Sequence, residues 1–126
     1  MAARLRRKQE AESAQAALLV AQFARDAVAA GITPERFSAR AYSGNTRYRT
    51  NITGWYLKRD KSIGVGTDGA FYILHTQGGL NSRLRGVTLL PAEPPLELGK
   101  GAKDGESMPM AVALAKRLAG GNTWAR

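Results

Sequence analysis

At 126 residues, with 44% hydrophobic and 23% charged side chains, the chain has the size and composition of one globular domain. It contains no cysteine, which excludes disulfides and thiolate zinc sites. The net charge is +9, and residues 1–61 hold 12 Lys or Arg against 5 Asp or Glu. This charge favours a polyanionic partner, although codon bias in high-GC genomes also produces arginine-rich proteins.

We predict three regions along the chain: a basic flexible tip at residues 1–9, a single domain at residues 10–120 and a tail at residues 121–126. No apolar run approaches the roughly 20 residues of a membrane span. Glu10 and Glu12 follow the basic start where a signal peptide would be apolar. We therefore expect no membrane association and a cytoplasmic protein, which the lack of cysteine fits.

Two helices are predicted before the strands. Residues 10–30 are alanine-rich and free of Gly and Pro, and their apolar side chains recur on one helical face. We expect this face to pack on the chain's own sheet, and a coiled-coil dimer is the alternative. Thr33, Pro34 and Glu35 are typical of a helix start, so we predict a short second helix to about Arg40.

A four-stranded antiparallel meander is predicted next. Its first three strands lie between Thr53 and Thr76, with a two-residue type I′ turn at Asp68-Gly69, and its fourth strand covers residues 84–90. Alternation in the first strand predicts that Trp55 and Leu57 point into the core, opposite Tyr56 and Lys58.

The remaining segments complete an α+β fold. Residues 96–98 are predicted as a short edge strand, and Ser107 as the cap of a C-terminal helix that ends near Leu118. The expected architecture is therefore an N-terminal helix, a short helix, the meander and a C-terminal helix, with the helices packed on one sheet face.

Several strings in the chain resemble a known group of proteins. Residues 54–57 (GWYL), 64–69 (GVGTDG), 71–72 (FY) and 104–107 (DGES) look like small uncharacterised proteins of actinobacteria, and of their plasmids or phages. The resemblance covers most of residues 15–120. It implies a bacterial cytoplasmic setting but carries over no activity, ligand or catalytic residue.

The strongest functional pattern is a segment between Arg36 and Lys61 in which basic and aromatic residues interleave. Arginine binds phosphate bidentately, and tyrosine can stack on an exposed base. We predict nucleic-acid binding with little sequence specificity, and we expect alanine at Arg47, Arg49 or Lys58 to weaken it without unfolding the protein. The predicted binding residues are Arg36, Arg40, Arg47, Tyr48, Arg49, Tyr56, Lys58, Arg59 and Lys61. The same pattern is also typical of a solvated basic sheet face.

Other chemistry is less well supported by the residues. A glycine-rich loop before the last helix, with Lys100 and Lys103, is a weak candidate anion site. The string Gly64-x-Gly66-x-x-Gly69 matches a dinucleotide motif, but a strand rather than a helix is predicted to follow it. His75 is the only histidine, and no nucleophile is marked beside it. We therefore predict no catalytic residue, no metal site, no cofactor and no enzyme activity. The alternative function is a protein-interaction module or accessory subunit.

Overall fold

The computed structural model describes residues 1–99 and 107–124. Helix α1 spans Ala2–Ala29, and its buried residues, from Ala16 to Ala27, share one face. That face packs on the sheet of the same chain, as predicted, in a core that includes Trp55. The predicted basic tip forms the first turns of α1, where every side chain before Ser13 is exposed. Gly31 follows the helix at φ 72°, which glycine tolerates better than other residues.

Five strands form one mixed sheet: β1 Glu35–Ala41, β2 Arg47–Tyr56, β3 Ile63–Gly66, β4 Phe71–Ile73 and β5 His75–Thr76. The strand order is β4-β3-β2-β1-β5, with β5 parallel to β1 and the other pairs antiparallel. The two edge strands are separated in sequence only by Leu74, whose N–H donates to Ser62 O and whose carbonyl accepts from Arg40 N. The sheet therefore curls until its two edges meet, and it encloses an interior.

The curl gives the sheet two apolar faces. Trp55, Leu57, Val65 and Phe71 face outward and are covered by α1 and the C-terminal helix. Trp55 is 1% exposed, and its Nε1 donates to Ile32 O at 2.9 Å, so the prediction that it lies in the core is confirmed. The interior is filled by a second cluster, which contains Phe37, Tyr56, Tyr72 and Leu74.

The predicted short helix does not form, because its residues make strand β1. Phe37, Ala39 and Ala41 are buried at every second position, while Arg36 before them and Arg40 between the two alanines are exposed. This period of two fits a strand, and pairing with β2 and β5 outweighs the local helix-start signals of Thr33 and Pro34.

The predicted fourth strand is also wrong. Leu80–Arg85 forms a short helix, α2, which ends at Gly86, and Val87 makes only one isolated bridge to Thr50 of β2. The β3–β4 hairpin is confirmed, but its turn is not type I′, because only Gly69 has a positive φ, at 81°. Asp68 stabilises that turn by accepting from the Ala70 N–H at 3.0 Å.

The C-terminal part adds a small second sheet and a helix. Strands β6 (Glu97–Leu98) and β7 (Met108–Pro109) pair with each other, and helix α3 spans Met110–Gly120. Pro109, not Ser107, is the residue at the start of α3. The predicted tail continues as a 3₁₀ turn, Gly121–Thr123, and Trp124 packs against the interior cluster.

Candidate nucleic-acid interface

The outer face of β1 and β2 that the helices leave uncovered is arginine-rich. Arg40 lies directly opposite Arg47 in the antiparallel register, and Ser38 lies opposite Arg49. Arg36 precedes them on the same side of β1, and its Nη1 donates to Thr50 O at 3.3 Å. Residues directly opposite each other in a strand pair point to the same face. The strand pairing therefore gathers four of the predicted arginines on one side of the sheet.

Arg47 connects this face to the β2–β3 turn. Its Nε donates to Ser38 Oγ at 2.6 Å, and its Nη2 donates to Ser38 O at 2.7 Å and to Lys61 O at 3.1 Å. The side chain is half-buried, and its acceptors lie on β1 and in the β2–β3 turn. Arg47 therefore acts as a structural link, and its three hydrogen bonds lead us to expect that Arg47→Ala lowers the stability of the protein as well as its charge.

The β2–β3 turn carries three more of the predicted cations. Arg59 and Lys61 are exposed and Lys58 is half-buried. Asp60 lies among them, and its oxygen Oδ1 accepts from both the N–H and the hydroxyl of Ser62. Burial raises the pKa of Asp60, but the two Ser62 hydrogen bonds and the charges of Lys58 and Arg40 together lower it below its usual value. Asp60 is therefore ionised and offsets part of the positive charge.

We name the cations of this region other than Arg47, which are exposed or half-buried, the basic surface. Arg47 holds its two parts together through Lys61, and Asp60 lies close enough to both Lys58 and Arg40 to feel their charges. Its members are Arg36, Arg40, Arg49, Lys58, Arg59 and Lys61.

The predicted stacking tyrosines do not belong to this surface. Tyr48 is 9% exposed, and its hydroxyl accepts from Gly79 N at 3.2 Å. Tyr56 is 5% exposed, and its hydroxyl accepts from Ser38 N at 2.9 Å. Neither ring can stack on a base without leaving its site. The aromatic side chain available near these arginines is Tyr42, which is 71% exposed and stacks on His75 with ring planes 14° apart.

A cavity of about 240 Å³ adjoins the basic surface beside the turn. Arg117 of α3 lies in its wall at only 8% exposure, and donates from Nε to Tyr56 O and from Nη1 to Gly121 O, both at 2.8 Å. The guanidinium also lies 4.6 Å from the centre of the Trp124 ring. Burial lowers the pKa of Arg117, and the charge of Glu35 opposes that effect. The cavity is lined by Thr33, Pro34, Glu35, Tyr56, Lys58, Arg59, Lys61, Arg117, Asn122 and Trp124.

The sequence reasoning missed Arg117 and Trp124. Arg117 continues the buried face of α3 three residues after Leu114, so a cation on an apolar stripe was the available signal. The predicted anion-loop residues Lys100 and Lys103 lie outside the described residues. Among residues 1–99 and 107–124, no three His, Asp or Glu side chains cluster closely enough to hold a metal ion.

Within the same ranges, none of the helices combines the length and apolarity that a membrane span requires. The chain matches no protein-family model, no curated protein and no solved structure. Residues and geometry alone therefore support the inference of function.

Proposed function

We propose that the protein binds nucleic acid through its phosphate backbone, with little sequence specificity, at the basic surface. The observation that carries this proposal is that strand pairing sets Arg36, Arg40 and Arg49 on one face of β1 and β2. Arg47 links this face to the turn that carries Lys58, Arg59 and Lys61. Neutralising backbone phosphates with Lys and Arg releases counterions and supplies affinity without reading bases.

The placement of the tyrosines makes the proposal more specific. Because Tyr48 and Tyr56 are buried, base stacking by these two rings does not contribute. Duplex DNA has a higher density of phosphate charge than a single strand. We therefore expect duplex DNA to bind at least as tightly as a single strand of the same length, the reverse of what stacking by these tyrosines would produce.

The test is fluorescence anisotropy with labelled duplex and single-stranded oligonucleotides across a salt series. If about four of the six cations contact phosphates, the log–log slope on duplex DNA should be about −3 to −4. Arg40→Ala and Arg49→Ala should each flatten that slope by roughly one unit. No binding at low salt by a folded protein would refute the proposal.

A matched control separates the basic surface from net charge. Arg25 is exposed on α1, outside the basic surface, and its guanidinium bonds only Gln22 among the described residues. Arg25→Ala removes the same charge, so it should leave the slope unchanged. An equal loss in Arg25→Ala and Arg49→Ala would show that binding follows total charge and not this surface.

The second candidate is a protein-interaction module. Leu80 and Leu84 of α2 are 72% and 70% exposed, and Leu90 is 81% exposed, which favours an apolar contact surface. The contact to test first is with a second copy of this chain. Concentration-dependent dimerisation in sedimentation velocity, lost in Leu84→Glu, would support this candidate, and a monomer at every concentration would argue against self-association.

A further inference from the structure

We infer that the cavity beside the β2–β3 turn is a binding site for a single phosphoryl group. Its lining combines four cationic side chains with one carboxylate, that of Glu35. This inference does not depend on the proposed function, because a small phosphate monoester could occupy the cavity whether or not the basic surface binds a polymer.

The buried guanidinium of Arg117 is the first reason. Among the described residues its guanidinium donates to Tyr56 O and Gly121 O, which are neutral carbonyls and do not neutralise its charge. The Glu35 carboxylate acts on Arg117 through its charge but makes no hydrogen bond to it among the described residues, and a buried charge without a directly paired counter-ion is costly. An anion in the cavity that Arg117 lines would provide that counter-ion.

The cavity's rim supplies the remaining charge. Lys58, Arg59 and Lys61 come from one turn, and the Lys61 ammonium lies 5.4 Å from the centre of the Tyr56 ring, at the cavity wall. Lys61 has φ 60°, a left-handed conformation that is uncommon for a residue other than glycine. The Lys61 N–H donates to Lys58 O at 3.0 Å, so the turn places Lys61 in the lining of the cavity in this conformation.

The size and the charge together indicate the class of ligand. At about 240 Å³ the cavity is smaller than the 300–1,000 Å³ that is usual for drug-sized ligands. The excess of cations favours a doubly charged anion over a carboxylate. Lysine and arginine both donate to phosphate oxygens, and Arg does so with strong, charge-assisted hydrogen bonds. A phosphoryl group with part of an attached sugar meets these conditions.

Titration with inorganic phosphate at about 0.15 M salt, where exposed charges are screened, tests the inference. Trp124 lines the cavity, and the other tryptophan, Trp55, is buried between the sheet and the helices. A change in tryptophan fluorescence therefore reports on the cavity. We expect a saturable change with parallel heat in calorimetry. No saturable binding at low-millimolar phosphate, in a folded protein, would overturn the inference.

Variants then locate the binding. Lys61→Asn removes the ammonium while keeping a residue that tolerates the left-handed conformation, and it should weaken phosphate binding about tenfold. Arg59→Ala should act in the same direction. Arg117→Met could fail to fold, because it removes two backbone contacts, so the Lys61 variant carries the test. Arg49→Ala, outside the cavity, should bind phosphate like the parent, and an equal loss there would overturn the inference.

Two sources of the phosphoryl group can be distinguished. In one outcome, a nucleoside monophosphate competes with inorganic phosphate, and 5′-phosphorylated and 5′-hydroxyl oligonucleotides bind with equal affinity. This outcome supports the site and indicates a small ligand. Tighter binding of the 5′-phosphorylated oligonucleotide, lost in Lys61→Asn, supports the site and indicates a strand end. If neither compound competes with phosphate, the inference of a phosphoryl site is wrong. Salt dependence on unphosphorylated duplex tests the basic surface separately.

Discussion

Arg47 and Arg49 are two residues apart on the same strand face, yet the structure predicts opposite effects when each is replaced by alanine. Arg47 makes three hydrogen bonds, two to Ser38 and one to Lys61 O, whereas Arg49 is exposed. Replacing Arg47 should destabilise the fold, and replacing Arg49 should affect ligand binding alone.

The magnitude follows from those three bonds. A hydrogen bond from a charged group contributes about 1.5–3 kcal/mol. Arg47 is half-buried, so in Arg47→Ala water can partly replace the guanidinium at its former acceptors. We therefore expect the free energy of unfolding to fall by about 2–3 kcal/mol in total, less than the sum of the three hydrogen bonds. Arg49→Ala should change stability by less than about 0.5 kcal/mol, as is usual at exposed sites.

Urea unfolding followed by circular dichroism measures the difference. For an m-value of about 1.5 kcal/mol/M, a loss of 2 kcal/mol lowers the midpoint by about 1.3 M. Arg47→Lys keeps the charge but lacks the planar fork of donors, so it should fall between the parent and Arg47→Ala. Equal midpoints for Arg47→Ala and Arg49→Ala would refute the structural role of Arg47.

Two further predictions concern the cores. Trp55→Ala should cost about 3–5 kcal/mol, because it empties a site 1% exposed and removes the bond to Ile32 O; a melting temperature equal to the parent's would contradict this placement. The pKa of Tyr72 is raised from 10.0 to about 12. Burial is the larger cause, and the hydrogen bond that the Tyr72 hydroxyl donates to Asp68 Oδ2 at 2.6 Å adds to it. Because this pKa is higher in the folded state than in the unfolded state, the neutral hydroxyl makes its full contribution to stability below pH 10. The protein loses that contribution as the pH rises towards 12. The parent should therefore lose more stability than Tyr72→Phe over that range in urea titrations, and parallel losses would show that Tyr72 does not contribute.

Local signals determined a large part of the fold. The alanine-rich face of α1, the position of the hairpin around Gly69 and the burial of Trp55 and Leu57 depend on residues close in sequence, so periodicity and turn residues predicted them, although not the turn type. The cluster of cations in residues 36–61 was likewise visible, and the register of β1 on β2 gathers its arginines on one face.

The closure of the sheet could be decided only by tertiary structure. Residues 33–35 carry helix-start signals, whereas residues 37–41 have a period of two, and the pairing of residues 35–41 with β2 and β5 selected the strand. Because Leu74 joins the two edges, the face opposite Trp55 became an interior, which buried Tyr56 and removed it from the binding surface. Arg117 lies at the cavity because α3 brings it to Tyr56, the last residue of β2, which is 61 residues away in sequence. The apolar stripe of α3 could signal that Arg117 is buried, but not which residues it contacts, because that depends on which surfaces the folded chain brings together.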